Sequence, residues 1–189
     1  MRKTRNKLYL SYEDVEGFVM EIGREIMQSE WKPDYIVGVG RGGLLPATLL
    51  SHFIDVPMHS LDVSLRDSNI EPTSNCWMAE DAYGYVDTLD RDEVEKSSDE
   101  AKRKNILIVD DINDTGATIN WIKDDWKSGC IPDDPAWDDI WLCGNVRTAV
   151  LVNNEASEYK NIDYAGMDIN KAEDDKWVVF PYENFWNKN

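Results

Sequence analysis

Apolar residues recur along the chain with two spacings, which together predict an alternation of helices and strands. Over residues 15–26, apolar side chains lie three or four positions apart, which predicts one buried stripe of a helix. Ser11 precedes this stripe and is suited to cap the helix, with Asp14 at the third helical position. Short continuous apolar runs instead predict buried strands, at residues 34–40, 106–109 and 147–152, with further strand character at 56–65.

Two more helices are predicted directly after strands. Residues 44–54 form one of them, with Pro46 tolerated in its first turn, and residues 117–129 form the other, ending at Gly129. Residues 131–145 are expected to be a tryptophan-rich connection. Strands that alternate with helices indicate an α/β fold, a mostly parallel sheet flanked by helices, in a single domain over residues 1–189.

One long segment, residues 66–104, departs from this alternation. It is polar, acidic and irregular, and it contains Pro72, Gly84 and a run of charges from Asp90 onwards. A segment of this length between strands is either a mobile functional lid or a passive surface insertion. The sequence alone leaves both readings open.

Composition narrows the classes of partner. The net charge of −17 disfavours a nucleic-acid surface and attraction to a membrane, because both need clustered Lys and Arg. No apolar run is long enough to cross a bilayer, and the N-terminus lacks the features of a signal peptide. The three cysteines show no zinc-like spacing, so reduced thiols in a cytoplasmic protein are expected.

The stretch VDDINDTGAT, residues 109–118, carries the strongest chemical signal. Asp110 and Asp111 follow an apolar strand, and ligands of open α/β sheets bind outside the carboxyl ends of strands. The next turn, residues 115–118, offers hydroxyls and unobstructed backbone N–H groups at a helix start, which suit a phosphate. Acidic side chains beside a phosphate would repel it, so they must bind something else, such as sugar hydroxyls, a divalent cation or an acidic N–H. A phosphorylated sugar satisfies all of these groups.

Two other interpretations fit parts of this stretch. Paired acids after an apolar strand also open two-component receiver domains, but too little chain follows Asp110 to hold the rest of such a domain. An ordinary turn with Asp114 as a helix cap would explain that residue. It would not explain Asp110 and Asp111 together with the two threonines.

VDDINDTGAT resembles the phosphoribosyl-diphosphate (PRPP) signature of type I phosphoribosyltransferases. VGRGGLLPA, residues 39–47, resembles the pyrophosphate loop of that family, and WVVFPYE, residues 177–183, resembles the C-terminal hood of its xanthine–guanine and hypoxanthine branch. The resemblance extends over residues 10–186 and implies a Rossmann-like core, to which residues 163–189 contribute a small hood. It also implies a mobile loop in the region of 66–104.

Roles in holding PRPP follow from the same resemblance. Asp110 and Asp111 would contact the ribose hydroxyls directly or through Mg²⁺, and Arg41 would neutralise the pyrophosphate. Backbone and small side chains would surround the phosphates, with Gly42 and Gly43 at the pyrophosphate and Thr115, Gly116, Ala117 and Thr118 at the 5-phosphate. The resemblance further implies a cis Gly40–Arg41 peptide bond. A homodimer or homotetramer is also expected.

At the base, Asp114 would handle the N7 proton of a purine, Trp177 would stack on the ring, and Val178 would supply backbone contacts. The branch also has a lysine that donates to the purine 6-oxygen, but this chain has Asn153, Asn154 and Glu155 there. Glu155 and the later Lys160 are therefore the candidates for reading the 6-position. The predicted activity is transfer of phosphoribose from PRPP to a purine, with 6-oxopurines favoured. The alternatives are the same transfer to adenine or to a pyrimidine base, and PRPP sensing without catalysis.

Overall fold

The computed structural model of the protein describes residues 6–63, 75–84, 103–142 and 144–183. The strands in this part of the chain are Asn6–Tyr9 (β1), Tyr35–Gly40 (β2), Met58–Asp62 (β3), Ile106–Asn113 (β4), Val146–Asn154 (β5), Tyr164–Ile169 (β6) and Lys176–Val179 (β7). The helices are Tyr12–Gln28 (α1), Leu44–Ile54 (α2), Cys76–Tyr83 (α3), Ala117–Gly129 (α4) and Ala136–Trp141 (α5).

Within the described residues, the central sheet has five strands in the order β3-β2-β4-β5-β6, and every neighbouring pair is parallel. The predicted mostly parallel α/β sheet is thus confirmed. A second sheet pairs β1 with β7, also in parallel. It shares a hydrophobic cluster with the central sheet, since Val178 packs in the same cluster as Leu107 and Val109.

Alternate residues of the central strands pack on opposite faces of the sheet. Ile36 and Leu107 belong to a buried cluster with residues of α1 and α2, whereas Val37 and Ile108 belong to a second cluster with residues of α3, α4 and α5. Because both faces are covered, the inner strands must be apolar on both sides. This explains the continuous apolar runs in the sequence.

The first helix begins as its sequence predicts. The Ser11 side chain accepts a hydrogen bond from the Asp14 N–H at 3.1 Å, and the Asp14 carboxylate accepts one from the Ser11 N–H at 2.7 Å. This reciprocal capping box satisfies donors that a helix start otherwise leaves free. The helix presents Val15, Val19 and Ile22 to the core, as their spacing predicts.

Other elements differ from the sequence-based predictions. The segment 66–104 contains helix α3, while its residues 66–74 and 85–102 lie outside the described residues. The tryptophan-rich connection contains the short helix α5, which buries Trp137 and Trp141. Helix α4 spans the predicted residues 117–129, but its cap is Cys130 in an extended conformation, so Gly129 is the last helical residue and does not serve as a left-handed cap.

The boundary of the hood also changes. Residues 164–169, within the expected hood segment 163–189, form β6, which pairs with β5 as the outer strand of the central sheet. The described part of the hood is therefore the β1–β7 pair and the turn that follows it. Among the described residues, no helix combines the length and apolar character needed to span a bilayer.

The order of strands places a ligand crevice between β2 and β4. The chain leaves β2 towards β3 on one side and returns on the other side as β4. In parallel α/β sheets such a reversal opens a crevice at the carboxyl ends of the two strands. The loops that follow β2 and β4 are the two loops singled out by the sequence.

Candidate active site

The loop after β2 approaches the loop after β4 so closely that side chains are excluded. At Gly43, a methyl group would overlap the Val109 carbonyl and the Asp110 backbone of β4. At Gly42, it would overlap the Asp111 carboxylate. The Gly40–Arg41 peptide bond in this loop is cis, as predicted. Two glycines thus bring the backbone of one loop directly against the acids of the other.

The turn after β4 is shaped to receive an anion. Gly116 has φ of 85°, and an added Cβ would overlap the Tyr159 backbone, so this position requires glycine. Helix α4 begins at the next residue, and its N-terminus has no side-chain cap. The Ala117 N–H donates to the Thr115 hydroxyl at 3.3 Å. The other N–H groups of this first turn and the positive end of the helix dipole can receive a phosphate.

A network behind the turn holds it in place. The Ser157 hydroxyl donates to Asn113 Oδ1 at 2.8 Å, and Asn113 Nδ2 donates to the Tyr159 carbonyl at 3.0 Å. The Glu158 N–H donates to the Thr115 carbonyl at 3.1 Å. The segment after β5 thus supports the turn after β4, although no motif in the sequence predicts this role.

The paired acids occupy different environments. Asp110 is buried, and its Oδ1 accepts a hydrogen bond from the Asp111 N–H at 2.8 Å. Burial, with a further contribution from the negative charge of Glu183, raises the pKa of Asp111 to about 6. An ionised Asp111 is therefore costly without a positive partner, which a cation or a donor from a sugar would provide.

The acids fit a bound Mg²⁺. Within the described residues, no group of three or more His, Cys, Asp or Glu side chains is arranged to hold a metal. Mg²⁺ in phosphate-binding sites instead takes one or two carboxylates, with phosphate oxygens and water completing its shell. Asp110 and Asp111 supply such hard oxygen ligands at the cavity wall.

A single cavity joins these features. Its volume is about 1300 Å³, and it opens between the two loops and the hood. Its walls include most of the residues predicted to bind PRPP or the base, namely Arg41, Gly42, Asp110, Asp111, Asp114, Thr115, Gly116, Ala117, Thr118, Trp177 and Val178. The structure therefore brings together residues from β2, β4 and β7 that are far apart in the sequence.

Three predicted site residues are described by the structure but do not line this cavity. Gly43 packs against the backbone of β4 behind the loop. Glu155 and Lys160 are exposed, and the Lys160 Nζ donates to the Glu155 carbonyl at 2.6 Å. Gly43 thus serves to pack the loop against β4. Glu155 and Lys160 lie away from the walls of the cavity.

Other lining residues were missed by reasoning from the sequence. Tyr182 and Glu183 belong to the quoted WVVFPYE stretch, yet only its first residues were given roles. The Tyr182 hydroxyl is buried without a hydrogen-bond partner among the described residues. Burial and the nearby Asp111 raise the pKa of Tyr182, so its phenol stays protonated and can donate. Tyr12 and Asp62 also face the cavity.

The most consequential missed residue is Lys171, in the connection between β6 and β7. Its Nζ lies 2.7 Å from Asp114 Oδ1, and its side chain is 13% exposed. The same ammonium lies 6.0 Å from the ring centroid of Trp177. A lysine shortly before the hood motif was the available signal in the sequence. Its approach to Asp114 depends on the course of the chain after β6.

The hood positions Trp177 through the β1–β7 pair. Trp177 is paired with Lys7 and Val178 with Leu8, and the Leu10 N–H donates to the Val179 carbonyl at 3.0 Å. Val178 is buried, whereas Trp177 is 39% exposed at the cavity. An exposed indole face beside Asp114 and Lys171 is suited to stack on a planar ring.

Comparisons with known proteins agree with this geometry. Residues 9–185 match the family model described as the phosphoribosyl transferase domain. A hypoxanthine-guanine phosphoribosyltransferase of Schizosaccharomyces pombe is 26% identical, over 61% of this chain and 57% of that protein. One of Saccharomyces cerevisiae is 24% identical, over 95% of this chain and 86% of that protein. The chain thus spans little more than half the length of the first relative.

A solved structure shares the fold over almost the whole chain. The purine phosphoribosyltransferase from Pyrococcus horikoshii superposes with a TM-score of 0.61 and 25% identity, covering 95% of each chain. The family model covers both cavity loops and the hood strand β7. The chain belongs to the phosphoribosyl transferase family.

Proposed function

We propose that this protein transfers the 5-phosphoribosyl group of PRPP to a purine base, with 6-oxopurines favoured, and releases pyrophosphate and a nucleoside monophosphate. One observation carries the proposal. The glycine loop after β2, the anion-binding turn after β4 and the Asp114–Trp177 wall border the same cavity. The reacting complex has three parts, the diphosphate, the ribose 5-phosphate and a planar base, and each part matches one of these three regions of the cavity wall.

PRPP would lie across the two loops. The backbone N–H groups from Thr115 to Thr118 would hold the 5-phosphate at the start of α4. Asp110 and Asp111 would bind the ribose hydroxyls, directly or through Mg²⁺, and that ion would supply neutralisation of the diphosphate when bound. Arg41 is exposed at the rim and makes no ion pair with a described residue, which leaves its guanidinium able to meet the pyrophosphate.

The base would lie between Trp177 and the loop that holds Asp114. Asp114 would accept the N7 proton as the purine N9 bonds to the anomeric carbon and pyrophosphate departs. This displacement passes through an oxocarbenium-like centre, so positioning and charge stabilisation contribute more than covalent help. Val178 would present its backbone to the edge of the base.

The names of the relatives support purines as the class of base. The S. pombe and S. cerevisiae proteins are named hypoxanthine-guanine phosphoribosyltransferases, and the P. horikoshii structure is of a purine phosphoribosyltransferase. The buried free thiol of Cys130 fits a reducing compartment, and a cytoplasmic location is part of the proposal. Assembly into a homodimer or homotetramer and the single-domain organisation stay predictions.

Pyrophosphate release tests the proposal directly. The protein is incubated with PRPP and Mg²⁺, and hypoxanthine, guanine, xanthine, adenine and uracil are each added separately. Release with one or more 6-oxopurines is expected, and a reaction without base provides the background. Release with uracil alone would overturn the purine assignment. PRPP binding without release for any base would favour the sensing role over catalysis.

A further inference from the structure

Asn154 stands where the resemblance leads one to expect a cation, but its side chain serves the protein scaffold. It is buried, and its Nδ2 donates to the Asp114 carbonyl at 2.7 Å. Its Oδ1 accepts from the Lys171 N–H at 3.0 Å and from the Ala156 N–H at 3.2 Å. One amide therefore connects the backbone of the Asp114 loop to the backbone of the Lys171 turn.

Its neighbour Asn153 is similarly engaged in the scaffold. Asn153 Oδ1 accepts from Asn113 Nδ2 at 2.9 Å, and its Nδ2 donates to Asp168 Oδ1 at 2.8 Å. Neither asparagine lines the cavity among the described residues, and the Lys160 ammonium is bound to the Glu155 carbonyl. The end of β5 and the turn after it thus bring no cation to the wall of the base site.

The cation in this part of the cavity comes from another segment. Lys171 lines the cavity, and its Nζ lies 2.7 Å from Asp114 Oδ1 beside the ring of Trp177. Asp114 and Lys171 thus place an acceptor and a donor side by side, next to an aromatic face. Because the Lys171 backbone is hydrogen-bonded to Asn154, the turn that bears this donor is tied to the loop that bears the acceptor.

The edge of a 6-oxopurine matches this pair. In the tautomer that carries its proton on N7, the 6-oxygen is an acceptor and the adjacent N7–H is a donor. Asp114 can accept from N7–H while Lys171 donates to the 6-oxygen. Adenine presents an amino group at position 6, and its N–H donors would face an ammonium that cannot accept a hydrogen bond.

We propose that Lys171 is the specificity-determining residue for the 6-oxo group and that Asn154 is its positioning residue. This assignment rests on the proposed function, because it locates the base between Asp114 and Trp177. It moves the cation that reads the 6-position from the end of β5 to the connection between β6 and β7. The preference of the enzyme for 6-oxopurines then follows from Lys171.

Binding of nucleoside monophosphates tests recognition of the base without requiring turnover. Inosine and adenosine 5′-monophosphates share the ribose, the phosphate and N7. They differ at position 6, an oxo against an amino group, and at N1, which carries a proton only in inosine, so the change that Lys171→Met makes in the ratio of their affinities is the informative quantity. Calorimetric titration of the wild type should show tighter binding of the inosine nucleotide. Lys171→Met should weaken it roughly 10- to 100-fold, the range for a hydrogen bond to a charged group, while binding of the adenosine nucleotide changes less than about threefold.

Two other lysines make the comparison sharp. Lys176, the first residue of β7 in the hood, forms an exposed ion pair with Asp174 at 2.7 Å and does not line the cavity. Lys176→Met should leave both affinities unchanged, which controls for loss of a charge in this region. Lys160→Met tests the rival residue. If Lys160→Met rather than Lys171→Met changes the ratio of the two affinities, the assignment is overturned.

A merely structural Lys171 would give a different result. If it served only to orient Asp114, its loss would weaken both nucleotides equally, and that outcome would also overturn the assignment. The assignment is also overturned if the wild-type protein binds the inosine nucleotide no more tightly than the adenosine nucleotide. Retained binding of the adenosine nucleotide by Lys171→Met shows that the variant is folded.

Asn154→Ala tests the positioning role. It should reduce the ratio of inosine to adenosine nucleotide affinity in the same direction as Lys171→Met, but by a smaller factor. A fall in melting temperature with an unchanged ratio would show that Asn154 acts on stability alone and would overturn this part.

Pyrophosphate release separates this inference from the proposed function. A wild type that uses 6-oxopurines, together with a Lys171→Met variant that keeps the ranking of bases, would overturn the inference and leave the function in place. The opposite result is also informative. If the wild type releases no pyrophosphate with any base, but Lys171→Met abolishes its discrimination between the two nucleotides, the proposed reaction is overturned and the role of Lys171 in binding is kept.

Discussion

The carboxylate of Asp111 fills the space where a side chain at Gly42 would begin. This contact joins the loop after β2 to the acids at the end of β4, so the proposed pyrophosphate and ribose sites share one boundary. Any side chain at Gly42 must displace Asp111 or the loop itself.

Gly42→Ala should therefore lower kcat/KM for PRPP by at least about tenfold, since misplacing groups around a reacting centre has a large effect on rate. Steady-state pyrophosphate release measures it. Gly17→Ala is the matched control, because a methyl group there meets nothing within 4 Å on an exposed turn of α1. That control should keep full activity and gain roughly 0.5–1 kcal/mol in stability. Equal activity of the two variants would contradict the proposed role of the loop.

Asp114→Asn removes the proposed acceptor of the N7 proton while keeping the shape of the side chain. Turnover should fall roughly 10²- to 10⁴-fold, the usual effect of a general acid–base group, with PRPP affinity largely retained. Single-turnover rates and PRPP titrations separate the two effects. Asp124→Asn, an exposed carboxylate on α4, controls for loss of a negative charge. An unchanged rate in Asp114→Asn would remove this residue from the mechanism.

Asp111 should destabilise the ligand-free protein at neutral pH. Its pKa is about 6 in the folded protein against an ordinary value of 3.8, mainly because of burial. The folded state thus holds this proton more tightly than the unfolded chain, so the stability contributed by the protonated form is lost as pH rises from 4 through 6. Asp111→Asn should add about 1–3 kcal/mol to the free energy of unfolding at pH 7.5, and the gain should shrink towards pH 4.

Urea unfolding at several pH values measures this dependence. Asp14 offers a comparison of opposite sign, because hydrogen bonds from Ser11 lower its pKa. Its stabilising effect is present at neutral pH and is lost as pH falls, so Asp14→Asn should weaken the protein most at pH 7.5. A pH-independent effect of Asp111→Asn would show that its carboxyl does not titrate in this range.

Trp177→Ala should weaken the binding of all accepted bases by a similar factor. Stacking on an indole is worth roughly 1–3 kcal/mol per base, which corresponds to about 5- to 150-fold in affinity. An indole accepts any purine face, so the ranking of bases should be preserved. Competition assays with each base measure both quantities. Trp77, which is 42% exposed beside His59 and outside the cavity, provides the control in Trp77→Ala. A changed ranking in Trp177→Ala would give the tryptophan a selective role.

The elements that the sequence predicted are those whose signals are local. The capping box of α1 needs only Ser11 and Asp14, three residues apart. Strand β4 is recognisable as a continuous apolar run because both of its faces are buried. Strand β6, YAGMDI, escaped prediction because it is the outer strand, is only partly buried and mixes small and polar residues. Helix α3 was missed because its stability comes from packing Met78, Ala79 and Ala82 into the core.

The same distinction holds for the candidate site. Asp110, Asp114 and Gly116 lie within one short motif, so the sequence identified them together. Lys171 meets Asp114 only after two further strands have returned the chain to the same edge of the sheet. Spacing along the chain carries no signal of that contact. Glu155 and Lys160 follow the end of β5 closely in sequence, but both are exposed and neither lines the cavity.

The pairing of β1 with β7 has a consequence for the order in which the protein folds during synthesis. Strand β1 is made early, but its partner β7 is made after all five strands of the central sheet. Because a domain generally folds as a unit, β1 waits for β7 before this wall of the cavity can form. A ribosome-bound chain halted before residue 176 would already contain Asp114 and Lys171 but would lack Trp177, so the face on which a base stacks would be the last part of the site to be completed.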